Sequence, residues 1–235
     1  MSLTDQFKNG SVNFLKSHRL IMKEIAAADR FTRKAQGNQV FKFSMNGHID
    51  FQIDAGSAAD AANLGLKTLS IIPAAADAGV RALPWVSPDL TKAAAAGTYM
   101  KLDAAARWFF TGPIEGCFIY IATRPTGEVY VFHVNANGLT GAANTTAKDS
   151  LVRPILAAKG LTLHQRLAHT DYSQLGSTCK GFVYGWKLAG QWRFHVHSLR
   201  MVGKTTQVTP TYSTFTPKKF EKHIASTVLP AQGAL

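Results

Sequence analysis

The sequence predicts an α+β domain with a substantial antiparallel sheet, on three observations. Short runs alternate apolar and polar residues, turn residues of hairpin type join several of those runs, and segments of helical period lie outside them. The 235 residues show no internal repeat and no linker rich enough to divide the chain, so residues 1–235 are expected to form one domain.

Residues 11–33 carry apolar side chains at Val12, Phe14, Leu15, Ile21, Met22 and Ile25 with cations between them, the spacing of an amphipathic helix capped by Ser11. At Phe41, Phe43 and Met45 the period changes to two, and Asn46-Gly47 then signals a hairpin whose second arm is Ile49, Phe51 and Ile53. Residues 68–72 read as a buried strand. The alanine-rich residues 90–96 and 102–107 read as short helices separated by Gly97. Two hairpins follow, over 117–134 and over 181–199, the second turning at Ala189-Gly190. A helix interrupted by Pro154 and Gly160 is expected over 150–167, and a last short helix over 217–225.

Composition narrows the function classes. A hydrophobic share of 46% excludes a disordered chain, and the longest strongly apolar stretch, residues 117–122, is far short of the roughly 20 residues of a membrane-spanning helix. Membrane insertion is therefore not expected. Residues 1–6 bring an acid early and no apolar core, so no cleavable signal peptide is expected, and synthesis in a reducing cytoplasm follows. Two cysteines, Cys117 and Cys179, are too few for a disulfide scaffold or a thiolate zinc site. The net charge of +12 invites nucleic acid, with basic residues concentrated toward both ends (Lys16, Arg19, Lys23, then Lys218, Lys219, Lys222). No recognised nucleic-acid motif accompanies that charge, and a solvated basic surface accounts for it equally well.

The first hairpin carries the chemistry. Arg124-Pro125-Thr126-Gly127 predicts a type I turn with a glycine bulge, closed by Arg124 opposite Glu128. Counting outward places Ile119 opposite His133 and Cys117 opposite Asn135. Cys117, Ile119, Val131, His133 and Asn135 then share one face, with Cys117 and His133 diagonal neighbours. A thiol beside an imidazole is a nucleophile beside its base. Gly116 allows close approach of backbone, and the N–H groups at Gly116 and Cys117 are candidate oxyanion donors. Read structurally instead, the cysteine is a small buried hydrophobe and the histidine a satisfied core residue.

Trp108-Phe109-Phe110-Thr111-Gly112-Pro113-Ile114-Glu115-Gly116-Cys117, followed by Val131-Phe132-His133-Val134 and preceded by Leu83-Pro84-Trp85, resembles the glutamine deamidase toxins. Burkholderia lethal factor and the catalytic domain of cytotoxic necrotizing factor are members of that family. The resemblance covers about residues 83–135. It implies a mixed β-sandwich flanked by helices and a cysteine–histidine pair that converts a protein glutamine to glutamate through a thioester, with no cofactor. Carried over, Cys117 is the nucleophile, His133 the base and then the acid, and the Thr111 carbonyl orients the histidine. The resemblance also implies a bacterial toxin or effector, made in the bacterial cytoplasm and delivered to the host cytosol, acting on a protein substrate such as a translation factor or GTPase. The core of a resident chemoreceptor deamidase is similar as well.

Two departures stand out. The family's Leu-Ser-Gly-Cys is Ile114-Glu115-Gly116-Cys117 here, so Glu115 is expected to face solvent, away from a developing oxyanion. The fifteen residues between Cys117 and His133 make a longer hairpin than in the two toxins. Asn135 and Gln165 are possible auxiliaries. His195 and His197 share a strand face in the spacing of two zinc ligands, but no third ligand is evident and a polar strand face explains them. Phe118, Tyr120, Tyr130 and Phe132 fall on the face opposite Cys117, as expected of side chains packing on a helix. The alternative from another class is a non-catalytic basic module binding nucleic acid or an acidic protein.

Overall fold

The computed structural model describes residues 1–17, 19–22, 41–46, 66–73, 79–83, 94–112, 114–172, 179–202 and 211–219. In chain order the elements are α1 (Leu3–Ser17), β1 (Arg19–Met22), β2 (Phe41–Asn46), β3 (Leu66–Pro73), β4 (Val80–Leu83), β5 (Ala95–Leu102), β6 (Trp108–Thr111) and β7 (Phe118–Thr123). They continue with β8 (Val129–Ala136), α2 (Gly141–Lys159), β9 (Thr162–Leu167), α3 (His169–Tyr172), β10 (Cys179–Leu188), β11 (Gln191–Val202) and β12 (Thr211–Lys219). The fold is α+β. An eight-stranded sheet runs β1-β3-β2-β4-β6-β10-β11-β12, and a four-stranded sheet runs β5-β8-β7-β9. The larger sheet is mixed, since β1–β3 and β4–β6 pair in parallel, whereas every pairing in the smaller one is antiparallel.

Strand alternation sorts the side chains into three apolar layers. Ile119, Ile121, Val129 and Val131 of the smaller sheet share one core with Leu83, Phe109, Val183, Phe194 and Val196 of the larger sheet. The intervening residues Phe118, Tyr120, Ala122, Tyr130 and Phe132 pack instead against Val152, Ile155 and Leu156 of α2. On the outer face of the larger sheet, Phe110, Phe182 and Tyr184 meet Phe7 and Phe14 of α1. The order is helix, sheet, sheet, helix. No helix among the described residues is long and apolar enough to cross a membrane.

The two hairpins form as expected, β7–β8 and β10–β11, the second turning through Ala189 and Gly190. The expected strand over 68–72 is the centre of β3. Its partner β2 carries the alternation at Phe41, Phe43 and Met45, and the second arm of the Asn46-Gly47 hairpin falls outside the described residues.

Four local expectations are corrected. The first helix begins at Leu3, is kinked at Gly10, and ends at Ser17; of the residues expected to continue it, 19–22 form β1 and 23–33 lie outside the described residues. Alanines 95 and 96 belong to strand β5, and residues 103–107 form a turn in which the Asp103 carboxylate accepts from the N–H groups of Ala105 and Ala106. Helix propensity loses there to tertiary pairing with β8, which Gly97 permits by its lack of a side chain. Helix α2 starts nine residues earlier than residue 150 and tolerates Pro154 within it. It closes at Gly160, where the N–H groups of Gly160 and Leu161 donate to Ala157 and Leu156, and residues 162–167 become strand β9. Residues 217–219 belong to β12 rather than a helix.

A Cβ built on Gly97 stands 2.8 Å from the His133 carbonyl oxygen and 2.9 Å from Val134 Cγ2. Gly97→Val is expected to lower unfolding stability by about 1–3 kcal/mol, measured by urea titration, because backbone rather than a flexible side chain blocks the added carbons. An unchanged midpoint would contradict the β5–β8 packing.

Candidate active site

The site begins with the turn. Gly127 has φ 84 and donates to the Arg124 carbonyl at 2.8 Å, and Arg124 pairs with Glu128 through backbone at 2.9 Å and through side chains at 2.9 Å. That closure fixes the ladder, in which Ile119 stands opposite His133 and Phe118 opposite Val134. Cys117, one residue before the strand, joins Ile119 and Val131 in the core between the sheets. The inward face therefore carries both the thiol and the imidazole, although the ladder ends at Phe118 opposite Val134 and does not extend to the expected Cys117–Asn135 pair. Cys117 forms no disulfide, and both residues are 1% exposed.

The main chain at Cys117 is gripped on both sides by side chains. Lys148, on the inner face of α2 and itself 1% exposed, donates from Nζ to the Gly116 carbonyl at 2.6 Å. The hydroxyl of Tyr172 in α3 donates to the Cys117 carbonyl at 3.1 Å. Gly116 has φ 80, a left-handed conformation that glycine adopts without strain. A trans peptide points its C=O and N–H in opposite directions, so the lysine's hold on Gly116 also directs the Cys117 N–H away from α2.

Thr111 ends β6, in parallel register with Leu83 at the end of β4. Its hydroxyl accepts from the Val183 N–H at 2.8 Å, and the next residue, Gly112, donates to the Leu83 carbonyl at 2.7 Å. The carbonyl that acts on His133 is that of Leu83, which favours the protonated ring. Among the described residues neither ring nitrogen of His133 completes a hydrogen bond of good geometry. Burial dominates its electrostatics and lowers its pKa to about 3, with the positive charge of Lys148 adding to the effect. Burial likewise lowers Lys148 to about 8, opposed by the attraction of the Cys117 sulfur. Burial also lowers His169 of α3, helped by the same lysine, while the exposed Glu115 pulls it the other way.

Glu115 thus faces solvent, as expected. Asn135 stands opposite Ala96, and its carboxamide is engaged by Ala136 N–H and Asn137. Gln165 sits on β9 opposite Ile121, turned toward the Arg166 carbonyl and beyond Ile119 from the thiol. His195 stacks on Trp186 with ring centroids 4.4 Å apart, and His197 lies 5.1 Å from Phe182, so both face the α1 layer rather than Cys117. Among the described residues no group of three or more His, Cys, Asp or Glu is placed to hold a metal ion. Cys179 lies on β10 opposite Arg200.

Lys148 is the residue that sequence reasoning missed. Its signal was its spacing: with Val152 and Ile155 it occupies the apolar stripe of α2. A thiol and an imidazole are enclosed in the core between the sheets, and a buried ammonium reaches the peptide before the thiol from the α2 side.

The buried imidazoles predict a pH dependence. His133 and His197 titrate below their ordinary 6.5 when folded, so below pH 6.5 the unfolded chain binds protons that the native chain refuses. Stability is expected to fall as pH drops from about 6.5 toward the folded values. Urea midpoints between pH 7.5 and 4.5 should decline in the wild type and decline less in His133→Asn and His197→Asn; equal slopes would contradict neutral buried rings.

No protein-family model matches the chain, and no curated protein matches it in sequence.

Proposed function

We propose that the chain is a cysteine-dependent protein glutamine deamidase, a bacterial toxin or effector acting on a host protein. The observation that carries this reading is that Cys117 and His133 are both buried on the inward side of the β7–β8 hairpin, with Ile119 opposite the histidine and neither ring nitrogen completing a hydrogen bond of good geometry among the described residues. The Phe109-Phe110-Thr111 and Gly116-Cys117 motifs support it at the offsets of the glutamine deamidase toxins.

Each step follows from these groups. Neutral His133 takes the proton of Cys117, and the thiolate attacks the glutamine amide carbon. The carbonyl oxygen becomes an oxyanion, facing the backbone N–H groups at Gly116 and Cys117. The imidazolium returns the proton to the departing nitrogen, ammonia leaves, and a thioester remains. His133 then deprotonates water, hydroxide attacks the thioester, and glutamate is released as the thiol takes back its proton. The Thr111 and Leu83 strand ends hold the histidine's surroundings rather than reacting. Cys117 is buried, so the amide reaches it only when the residues over the sulfur move aside.

The rival reading, a non-catalytic basic module, draws on the net charge of +12. It requires binding that weakens steeply with salt and ignores Cys117. Quantitative mass spectrometry separates the two, with eukaryotic and bacterial lysates treated with wild type or Cys117→Ser. A glutamine converted to glutamate only by the wild type is expected. Absence of conversion in both lysates, with Cys117 no more reactive to iodoacetamide than Cys179, would overturn the deamidase.

A further inference from the structure

We infer that Lys148 is a positioning residue of this site: it holds the peptide before Cys117 and supplies the positive charge against which that sulfur ionises. The inference rests on reading Cys117 as a nucleophile, and not on glutamine as its substrate.

A lysine buried in an apolar layer is costly unless something receives its charge. Among the described residues the Nζ of Lys148 donates to one acceptor, the Gly116 carbonyl at 2.6 Å, and lies 4.1 Å from the centroid of the Phe118 ring. No carboxylate pairs with it among the described residues. Asp149, its neighbour on α2, is turned outward to Arg166 at 2.9 Å and to the Tyr120 hydroxyl at 2.8 Å, with Arg153 at 3.8 Å. Arg166 of β9 is a second cation, 5.7 Å from the centroid of the Phe118 ring, and His169 of α3 carries no negative charge. Glu115 is exposed and acts on His169. Tyr172 spends its hydroxyl proton on the Cys117 carbonyl. Among the described residues, the group whose negative form favours the charged lysine is the thiol of Cys117, which follows directly the peptide that the lysine holds.

His133 is poorly placed to do the same task. It is wholly enclosed, and a second cation close to Lys148 would be repelled by it. The division of labour is then a fixed cation that stabilises the sulfur anion and a neutral imidazole that moves the proton.

The test is the pH profile of Cys117 alkylation by iodoacetamide in the full chain, read by peptide mass spectrometry with Cys179 as internal reference. Lys148→Met should shift the profile upward by about one pH unit, which is about tenfold slower labelling at neutral pH. Lys148→Arg should restore most of it, and His133→Asn should leave its midpoint in place. A profile unmoved by Lys148→Met, or moved equally by His133→Asn, would overturn the inference. Should Lys148→Met not fold, the reciprocal measurement decides: NMR titration of the Lys148 side chain in wild type and Cys117→Ser. Removing the sulfur should lower the lysine's midpoint, and an unchanged midpoint would overturn the inference. A lysine-dependent profile without any deamidation would sink the proposed reaction and leave this inference standing. Deamidation with an unmoved profile would do the opposite.

Discussion

The register between β7 and β8 is the constraint on which the rest of the structure depends. Side chains on a strand alternate faces, so a slip of one residue would turn Cys117 and Ile119 toward α2 and bring Phe118 and Tyr120 into the space between the sheets. The same slip would carry the rings of Phe118, Tyr120 and Phe132 off the helix that covers them. Two things prevent it. The turn at Arg124 to Gly127 closes in one geometry, with Arg124 and Glu128 joined through backbone and side chain. The volumes on the two faces also differ, aliphatic toward the inter-sheet core and aromatic toward α2, so the slipped arrangement overpacks one layer and leaves cavities in the other.

Once that register is set, the surrounding elements act on the segment that leads into β7. The strand end at Leu83 and Thr111 anchors the chain on one side through the Gly112 N–H and the Thr111 hydroxyl. From the other side α2 and α3 each send one side chain to a carbonyl flanking the sulfur. The larger sheet, the smaller sheet and two helices thus converge on one cysteine. Local unfolding of any of them would release the backbone there, which ties the geometry at the thiol to the cooperativity of the whole core.

The hairpin and its inward face were legible because both signals are local: turn residues fix the pairing, and a period of two fixes the faces. The α+β class was legible for the same reason. Residues 95–102 were not, since alanine and glycine say little about strand until the close approach to His133 and Val134 is known. Residues 162–167 were not, because β9 is an edge strand with a register shift beside Ile121, and its pattern lacks clean alternation. Pro154 misled in the opposite direction, as a helix held by apolar contacts on both sides of a proline survives the lost hydrogen bond. Lys148 was hidden by its charge. A lysine is assigned to the wet side of a helix by habit, and only the start of α2 at Gly141 sets the phase that turns it inward.

A thiol, an imidazole and an ammonium enclosed together are a poor solution to the problem of filling a core. Apolar side chains of similar volume would pack there without desolvating any polar group. The histidine is held far from its ordinary titration range, and the lysine is held below its own, so the folded chain gives up protonation free energy at both positions. Such a cost has a return when the groups act on one another. The low polarity that suppresses charge on the imidazole also strengthens the attraction between ammonium and sulfur, because both follow from the same exclusion of water. On the proposed reading, proton acceptor and counter-charge are thereby kept on separate residues. A single histidine asked to do both would have to be charged to stabilise the thiolate and neutral to create it.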